Sequence, residues 1–270
     1  MLDEVSANEF IKSIEEDYGA TEPLILGAEN NNREVEVYAK LTNTRNLSVK
    51  GLIVEAICSM LAIDLDLPTP EPFIVNLNNE FIDCIDNATI QSRLRASCPK
   101  VFATQNISRG VSTVAKDMKL NSHNLQSAAN IFAFDAAIEN PDRRIEKPNC
   151  LTDGQNLYII DHEKAFPRSI GLILLGQPLN PWQLGGLNNF SSAGSHLFIN
   201  QIKKQSRKLN FNPFVAKWKN ISDDRINDYL QALPQEWLVE ETCARTILEY
   251  IKSVRDNIDG CVDEINRILN

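Results

Sequence analysis

Apolar and polar positions recur with two different periods in the middle of this chain. Residues 122–139 carry small and apolar side chains at helical spacing, and Pro141 follows them. The pattern predicts a helix that ends just before this proline. Short apolar runs occupy 150–152 and 157–160, with Asp153-Gly154 between them. Because an Asp-Gly pair between apolar runs is typical of a tight turn, these runs are predicted to form a hairpin.

The N-terminal and C-terminal parts of the chain have different patterns of apolar positions. Residues 34–40 alternate as a strand does, 72–77 and 101–107 are strand-like runs, and 48–62 place an apolar band at helical spacing. Residues 78–98 are polar and show no clear period. Helices are predicted in the C-terminal part, over 196–207, 211–219, 222–232 and 236–269. The pattern indicates a sheet-rich first part and a helical second part.

The predicted hairpin brings polar residues to one edge. Asn149 stands at the start of its first strand and Asp161 at the end of its second, and these positions lie side by side in a hairpin. The loop that contains Asp142 leads to the same edge. Two carboxylates and an amide oxygen are hard donors that suit Mg²⁺ between a protein and phosphate oxygens. The set matches phosphoryl transfer, in which one Asp accepts a proton while an Asn and a second Asp bind metal.

A second pair of charged residues lies in the N-terminal part. Glu55 belongs to the mostly apolar helix 48–62, where an unpaired carboxylate would be costly to desolvate. Lys40, at the end of the strand 34–40, is its natural partner, and kinases use such a Lys–Glu pair to place phosphates. The alternative is that Lys40 is a solvated lysine at a strand end, which is the commoner fate of lysines.

Two further features admit two interpretations each. Gly19-Ala20-Thr21 is a turn of small residues that leads into a predicted strand at 24–27. Its backbone N–H groups could approach phosphates, or it could be a turn without a ligand. Arg143 and Arg144 are the fixed positive charges nearest to the candidate base. One of them could neutralise a transferred phosphate, or both could pair with local carboxylates.

Composition and charge argue against several classes of protein. The net charge of −9 argues against a general nucleic-acid or anionic-membrane binder, because both need clustered Lys and Arg. Six scattered cysteines, no Cys-x-x-Cys pair and three histidines argue against a zinc site. The acidic N-terminus has no apolar signal core, and no apolar run is long enough to cross a membrane. We therefore expect reduced thiols and a cytoplasmic location.

Two segments carry a resemblance to a known family, FDAAIENPDRRIEKPNCL and YIIDHEKAF. They resemble the catalytic core of the HipA-like kinases, in the branch of short single-domain members, and are also similar to type II phosphatidylinositol 4-kinases. The resemblance extends over nearly the whole chain. It implies that Asp142 is the catalytic base and that Asn149 and Asp161 bind metal.

Two features depart from the usual kinase pattern. His-Glu follows Asp161, where Phe-Gly is usual. Asn149 lies seven residues after Asp142, where the usual spacing is about five. Lys147 occupies the five-residue position.

The resemblance also implies a fold and a set of nucleotide contacts. The implied fold is α+β, a bilobal protein-kinase-like fold with a small β-rich N-lobe over 1–105 and a mainly helical C-lobe over 106–270. Lys40 and Glu55 would place the phosphates of the nucleotide. The Gly19-Ala20-Thr21 turn would cover the nucleotide.

The prediction of an adenine contact depends only on the place of the strand 101–107 in the order of elements, and not on its side chains. In a two-lobed kinase the strand 101–107 would be the one whose exposed backbone bonds the adenine edge. This places adenine near Ala103 and Gln105. The alternative is an edge strand that binds no ligand.

Together, these features imply that the protein uses ATP and Mg²⁺ to phosphorylate a Ser or Thr hydroxyl group of a protein. They also imply a protein substrate or a regulatory partner. A first rival is a nucleotide-binding pseudokinase that serves as a regulatory module, motivated by the Asp161-His162-Glu163 sequence and the displaced Asn149. A second rival is transfer to a lipid or small-molecule hydroxyl group. We expect neither a nucleic-acid nor a membrane partner, because the chain is acidic.

Overall fold

The computed structural model describes residues 2–14, 22–30, 33–42, 47–171 and 179–270. Within them the chain combines strands and helices, which confirms the predicted α+β class. The chain divides into two compact units, one within 1–60, 70–109 and 229–244 and the other within 61–69, 110–228 and 245–270. The predicted lobe boundary at residue 105 stays a prediction.

The first unit contains a five-stranded closed barrel. Its strands are β1 (Asp3–Ser13), β2 (Leu24–Asn30), β3 (Arg33–Lys40), β4 (Pro72–Asn76) and β5 (Lys100–Gln105). Their order around the barrel is β1-β2-β3-β5-β4, and neighbours are antiparallel except for β1 and β4, which run parallel and close the barrel. The local patterns predicted four of these strands, at 24–27, 34–40, 72–77 and 101–107. They could not predict the closure, because β1 and β4 are far apart in sequence.

Alternation in β3 gives this strand its two faces. Val35, Val37 and Ala39 are buried and belong to the barrel core, whereas Glu34 and Glu36 are exposed. The predicted period of two is therefore confirmed for this strand. The following helix, α1 (Val49–Asp64), is buried throughout residues 52–62.

Two short helices occupy the segment 78–98, where the sequence pattern predicts no element. They are α2 (Asn79–Asp83) and α3 (Ala88–Ala96). Asn78 and Asn87 precede them, and the side-chain oxygen of each accepts backbone N–H bonds from the first turn of its helix. Helices this short show little periodicity, so the two capping asparagines are the sequence signal that could have predicted them.

The central helix and hairpin of the second unit confirm the prediction. The helix is α4 (Leu125–Ala137), and the strands β6 (Ser112–Thr113), β7 (Cys150–Thr152) and β8 (Leu157–Ile159) form a sheet in that order.

The loop between β7 and β8 has four residues and turns at the Asp-Gly pair. Gly154 has a φ of +92°, a conformation that favours glycine. The Asp153 carboxylate accepts backbone N–H bonds from Asn156 at 2.7 Å and Gln155 at 2.8 Å. These bonds lower the pKa of Asp153 to about 2. The turn chemistry expected of Asp153-Gly154 is therefore present.

The C-terminal helices are α5 (Ile199–Lys203), α6 (Asn212–Asn220), α7 (Asp223–Gln231), α8 (Glu241–Asp256) and α9 (Ile258–Leu269). The prediction of one helix over 236–269 is wrong. A 3₁₀ helix (Gln235–Glu240) comes first, and the α-helix is then interrupted at Asn257. The side chain of Asn257 donates to the Ser253 carbonyl at 2.8 Å, a local bond that competes with the helical pattern.

No helix in the described part of the chain has both the length and the apolar character needed to cross a membrane. The six cysteines are all free thiols. Cys84 is exposed and Cys98 is partly exposed, whereas the other four are buried. Burial raises the pKa of Cys150 to about 12 and that of Cys243 to about 11.

We expect a thiol reagent to label native Cys84 first and Cys98 more slowly, because the thiolate is the reactive form and burial disfavours it. Alkylation followed by peptide mass spectrometry measures the order. Protein unfolded in denaturant is the control, in which all six cysteines should react. Rapid labelling of Cys150 in native protein would contradict the structure.

Candidate active site

The loop after α4 is fixed by a buried asparagine. Asn140 is fully buried, and its side-chain oxygen accepts a bond from the Asp142 N–H at 3.2 Å. Its side-chain nitrogen donates to Asp135 Oδ1 at 3.0 Å. Asp135 belongs to α4, so the position of Asp142 is tied to this helix.

The hairpin places Asn149 and Asp161 together as predicted. The Ile160 N–H donates to the Asn149 carbonyl at 3.1 Å, so the segments that precede β7 and follow β8 are joined. Asn149 has a φ of +44° and Asp161 a φ of +60°. Asn and Asp adopt this left-handed conformation more readily than other non-glycine residues. Both side chains are therefore set by an unusual backbone turn at the hairpin edge.

Asp142 lies at the same edge, which confirms the predicted grouping of the three side chains. The Asn149 side-chain nitrogen donates to Asp142 Oδ2 at 3.3 Å and to the Asp142 carbonyl at 3.4 Å. The seven-residue spacing therefore still brings Asn149 to Asp142. The roles of these residues in catalysis and metal binding stay predictions.

Lys147 links the two aspartates. Its ammonium group donates to Asp142 Oδ2 at 2.6 Å and lies 2.9 Å from Asp161 Oδ2. Burial alone would lower the pKa of Lys147, but the charges and hydrogen bonds of Asp161 and Asp142 raise it overall. The sequence marked Lys147 only as the residue at the usual asparagine position. Its bridging contact was not predicted, because it depends on where the hairpin places Asp161.

Arg143 is a buried structural cation. It is fully buried, and its Nε and Nη2 donate to the two carboxylate oxygens of Asp135, at 2.6 and 3.2 Å. Its Nη1 donates to the carbonyls of Asn149 and of Ile160, the latter at 3.1 Å. Of the two interpretations offered by the sequence, pairing with a local carboxylate is the one observed. Arg143 also fixes the backbone next to both candidate metal ligands.

His196 completes this buried network. Its Nε2 lies 2.9 Å from Asp135 Oδ2, and its Nδ1 accepts the Phe198 N–H at 3.2 Å. A neutral imidazole with its proton on Nε2 satisfies both contacts. Burial lowers the pKa of His196, and the Arg143 charge acts in the same direction, although Asp135 opposes them. Burial opposes ionisation of Asp135 too, but Arg143 and His196 lower its pKa well below the usual range.

In the first unit, the predicted ion pair is present. The Lys40 ammonium group donates to Glu55 Oε1, and 14% of the Lys40 side chain and 2% of the Glu55 side chain are exposed. The interpretation of Lys40 as a solvated strand-end lysine is therefore wrong. The role of the pair in placing phosphates stays a prediction.

The expected backbone edge for adenine is not found at Ala103. Ala103 pairs with Ala39 of β3 on one side and with Phe73 of β4 on the other. At this position β5 is therefore flanked by two strands and has no exposed backbone edge. Gln105 ends the strand, and its N–H donates to the Glu71 carbonyl at 2.8 Å. The prediction that the backbone of Ala103 is exposed to bond adenine is therefore wrong.

Gly19, Ala20 and Thr21 lie outside the described residues, so their predicted nucleotide contact stays a prediction.

The donor set at the hairpin edge fits a hard divalent cation. Asn149 and Asp161 offer amide and carboxylate oxygens, which are the ligands that Mg²⁺ prefers. A carboxylate oxygen of the buried Glu163 lies within 4.8 Å of one of Asp161. Glu163 was not among the predicted site residues. The Asp-x-Glu spacing was the available signal.

Comparison with known proteins assigns the chain to a family. A sequence model described as HipA-like kinase matches residues 8–173. The chain belongs to the HipA-like kinase family. This membership supports a phosphotransferase of the kinase type, and kinases of this type use a nucleotide and a metal.

The crystal structure of the Helicobacter pylori proinflammatory kinase CtkA is similar, with a TM-score of 0.49 and 12% sequence identity, over 96% of this chain and 98% of that chain. A search of curated protein sequences found no significant match.

We expect Arg143→Met to lower the free energy of unfolding of this HipA-like kinase by about 3–5 kcal/mol, because it leaves the Asp135 carboxylate buried without its main counter-charge. Urea unfolding followed by tryptophan fluorescence measures the loss. The control is Arg144→Met. The Arg144 side chain is 49% exposed and lies 3.7 Å from Asp142, so its loss should cost less than about 1 kcal/mol. Equal losses in the two variants would contradict the buried network.

The pH dependence of stability provides a second test. The pKa of His196 is lower in the folded protein than the value of about 6.5 in an unfolded chain, so the unfolded state binds more protons in acid. This contribution to stability is present above about pH 6.5 and is lost as the pH falls. Melting temperatures measured from neutral to mildly acidic pH should therefore decline more steeply for wild type than for His196→Gln. His123→Gln, which changes an exposed histidine, is the control and should follow wild type.

Proposed function

We propose that this HipA-like kinase transfers the γ-phosphoryl group of ATP to a Ser or Thr hydroxyl group of a protein, with Mg²⁺ as the metal. The observation that carries the proposal is the position of the Asp142 carboxylate, which contacts Asn149 and is joined to Asp161 through Lys147. An Asp, an Asn and a second Asp are the residue types that kinases use for proton acceptance and metal binding.

In the proposed reaction, Asp142 is the general base. The acceptor hydroxyl group gives its proton to the Asp142 carboxylate, and its oxygen bonds to the γ-phosphorus. The bond from this phosphorus to the β–γ bridging oxygen breaks, and ADP leaves. The hydrogen bond from Asn149 supports this role, because it orients the carboxylate before the substrate binds.

Asn149 and Asp161 are the residues that would bind Mg²⁺, with Glu163 as a further oxygen donor near Asp161. When bound, Mg²⁺ neutralises the phosphate charge that develops during transfer. The chain itself supplies orientation. Arg143 donates to the Asn149 and Ile160 carbonyls, and so fixes the backbone on which both ligands depend.

Lys40 and Glu55 are proposed to place the phosphates of the nucleotide. Glu55 is buried and paired, so it holds the Lys40 ammonium group in one direction. The Gly19-Ala20-Thr21 turn is proposed to cover the nucleotide. The end of β5 at Gln105 is proposed to contact adenine.

Charge supports a protein acceptor over an anionic lipid. The chain has a net charge of −9, which disfavours binding to an anionic membrane surface. A second candidate function is nucleotide binding without transfer. The contact of Lys147 with Asp142 favours it, because the ammonium group occupies an oxygen of the candidate base.

The test is a radiolabel transfer assay with [γ-³²P]ATP and Mg²⁺, in which a mixed Ser/Thr peptide pool and phosphatidylinositol vesicles are offered separately as acceptors. We expect label on the peptides, and we expect Asp142→Asn to lower the rate at least about a hundredfold, because a general base contributes about that much. Asp161→Ala should abolish transfer through loss of the metal ligand.

The matched control is Asp117→Asn, which changes an exposed aspartate of the second unit and should leave the rate unchanged. Label on the lipid alone would replace the protein acceptor with a lipid. ATP binding without transfer, equal in wild type and Asp142→Asn, would establish the nucleotide-binding module.

A further inference from the structure

Lys147 occupies a position that the phosphotransfer mechanism does not explain. It lies five residues after Asp142, where the usual kinase spacing places the metal-binding asparagine. In this chain that asparagine is two residues later, at Asn149. The substitution introduces a positive charge at a position where a neutral oxygen donor is usual.

The contacts of Lys147 define what that charge does. Its Nζ is 2.6 Å from Asp142 Oδ2 and 2.9 Å from Asp161 Oδ2, so one ammonium group bonds both carboxylates. The side chains of Asp142 and Asp161 are 13% and 18% exposed, and that of Lys147 is 33% exposed. The attraction is therefore only partly screened by water.

The backbone also holds Lys147 in this place. The Arg144 N–H donates to the Lys147 carbonyl at 2.9 Å, which closes the loop between the candidate base and Lys147. Pro148 follows and restricts the backbone of Lys147 towards an extended conformation. The lysine side chain is thus presented to the carboxylates by a closed loop.

We propose that Lys147 is a built-in counter-ion of this site, which a divalent cation must displace from Asp161 in order to bind there. The ammonium group keeps the two carboxylates together in the absence of metal. Metal binding then breaks its contact with Asp161, while the contact with Asp142 is free to persist. Divalent-cation affinity is consequently lower than the oxygen donors alone would give. This inference rests on the proposed function, because it takes Asp161 as a metal ligand.

The first test measures Mn²⁺ binding by electron paramagnetic resonance of the free ion, at fixed ionic strength, with a non-hydrolysable ATP analogue present. Lys147→Met keeps most of the side-chain length and removes the charge. We expect it to bind Mn²⁺ at least about tenfold more tightly than wild type, since a positive charge 2.9 Å from the Asp161 carboxylate is removed. Lys116→Met, which changes an exposed lysine of the same unit, should leave the affinity unchanged.

The double variant Lys147→Met/Asp161→Ala locates the effect. Compared with Asp161→Ala alone, the double variant should show no gain in Mn²⁺ affinity, because the carboxylate from which the cation must displace Lys147 is then absent. An unchanged or weaker affinity in Lys147→Met would overturn the proposal. A gain that persists without Asp161 would overturn it as well.

A second measurement uses the wild-type protein and does not depend on the folding of a variant. Acylation of lysines is followed by peptide mass spectrometry with and without Mn²⁺. We expect Mn²⁺ to increase the acylation rate of Lys147, because its amine is released from Asp161, and to leave that of Lys116 unchanged. An equal or lower rate at Lys147 would overturn the displacement.

These binding measurements are independent of phosphate transfer. If wild type fails to transfer phosphate while Lys147→Met binds Mn²⁺ more tightly, the proposed function is wrong and the counter-ion inference stands. If wild type transfers phosphate and Lys147→Met shows no gain, the inference is wrong and the proposed function stands.

Discussion

The buried ion pair between Arg143 and Asp135 is the interaction on which the candidate active site depends. Both side chains are completely buried, and desolvating two charges is costly unless each is fully hydrogen-bonded. Arg143 meets that condition by bonding both oxygens of Asp135 and the carbonyls of Asn149 and Ile160. The same bonds that compensate for burial therefore position the backbone beside the candidate metal ligands. Geometry and desolvation are coupled at this point, since a shift of the hairpin would leave a buried charge without a partner.

His196 connects the buried Arg143–Asp135 pair to a part of the second unit that is distant in sequence. It contacts Asp135 through Nε2 and stacks edge-on against Phe132 of α4, with ring centroids 5.0 Å apart. The neighbouring Leu197 N–H donates to the Arg143 carbonyl at 2.9 Å. Helix α4, the loop with Asp142 and the segment at residue 196 are thus joined around one carboxylate. The precision of the loop arises from this convergence and not from the loop sequence alone.

The features that the sequence predicted are those with a local cause. An Asp-Gly pair between apolar runs specified the hairpin, and the isolated carboxylate of Glu55 in an apolar helix required the partner that Lys40 provides. The features that it missed depend on long-range contacts. Barrel closure by β1 and β4, and the bridge from Lys147 to Asp161, bring together residues that no local pattern relates. The interruption of the last helix at Asn257 has a local cause, but its apolar spacing continues on both sides and concealed the break.

The charge balance at the hairpin edge depends on Lys147, which lies between two carboxylates. Asp142 and Asp161 are near enough to share one ammonium group, and two carboxylates at such a separation repel each other in a partly buried site. A positive side chain between two such carboxylates reduces this repulsion. In this chain the positive side chain is Lys147, and the amide oxygen of the neighbouring Asn149 remains a neutral donor. One loop thus presents a positive side chain and the amide of the candidate metal ligand Asn149 from positions two residues apart.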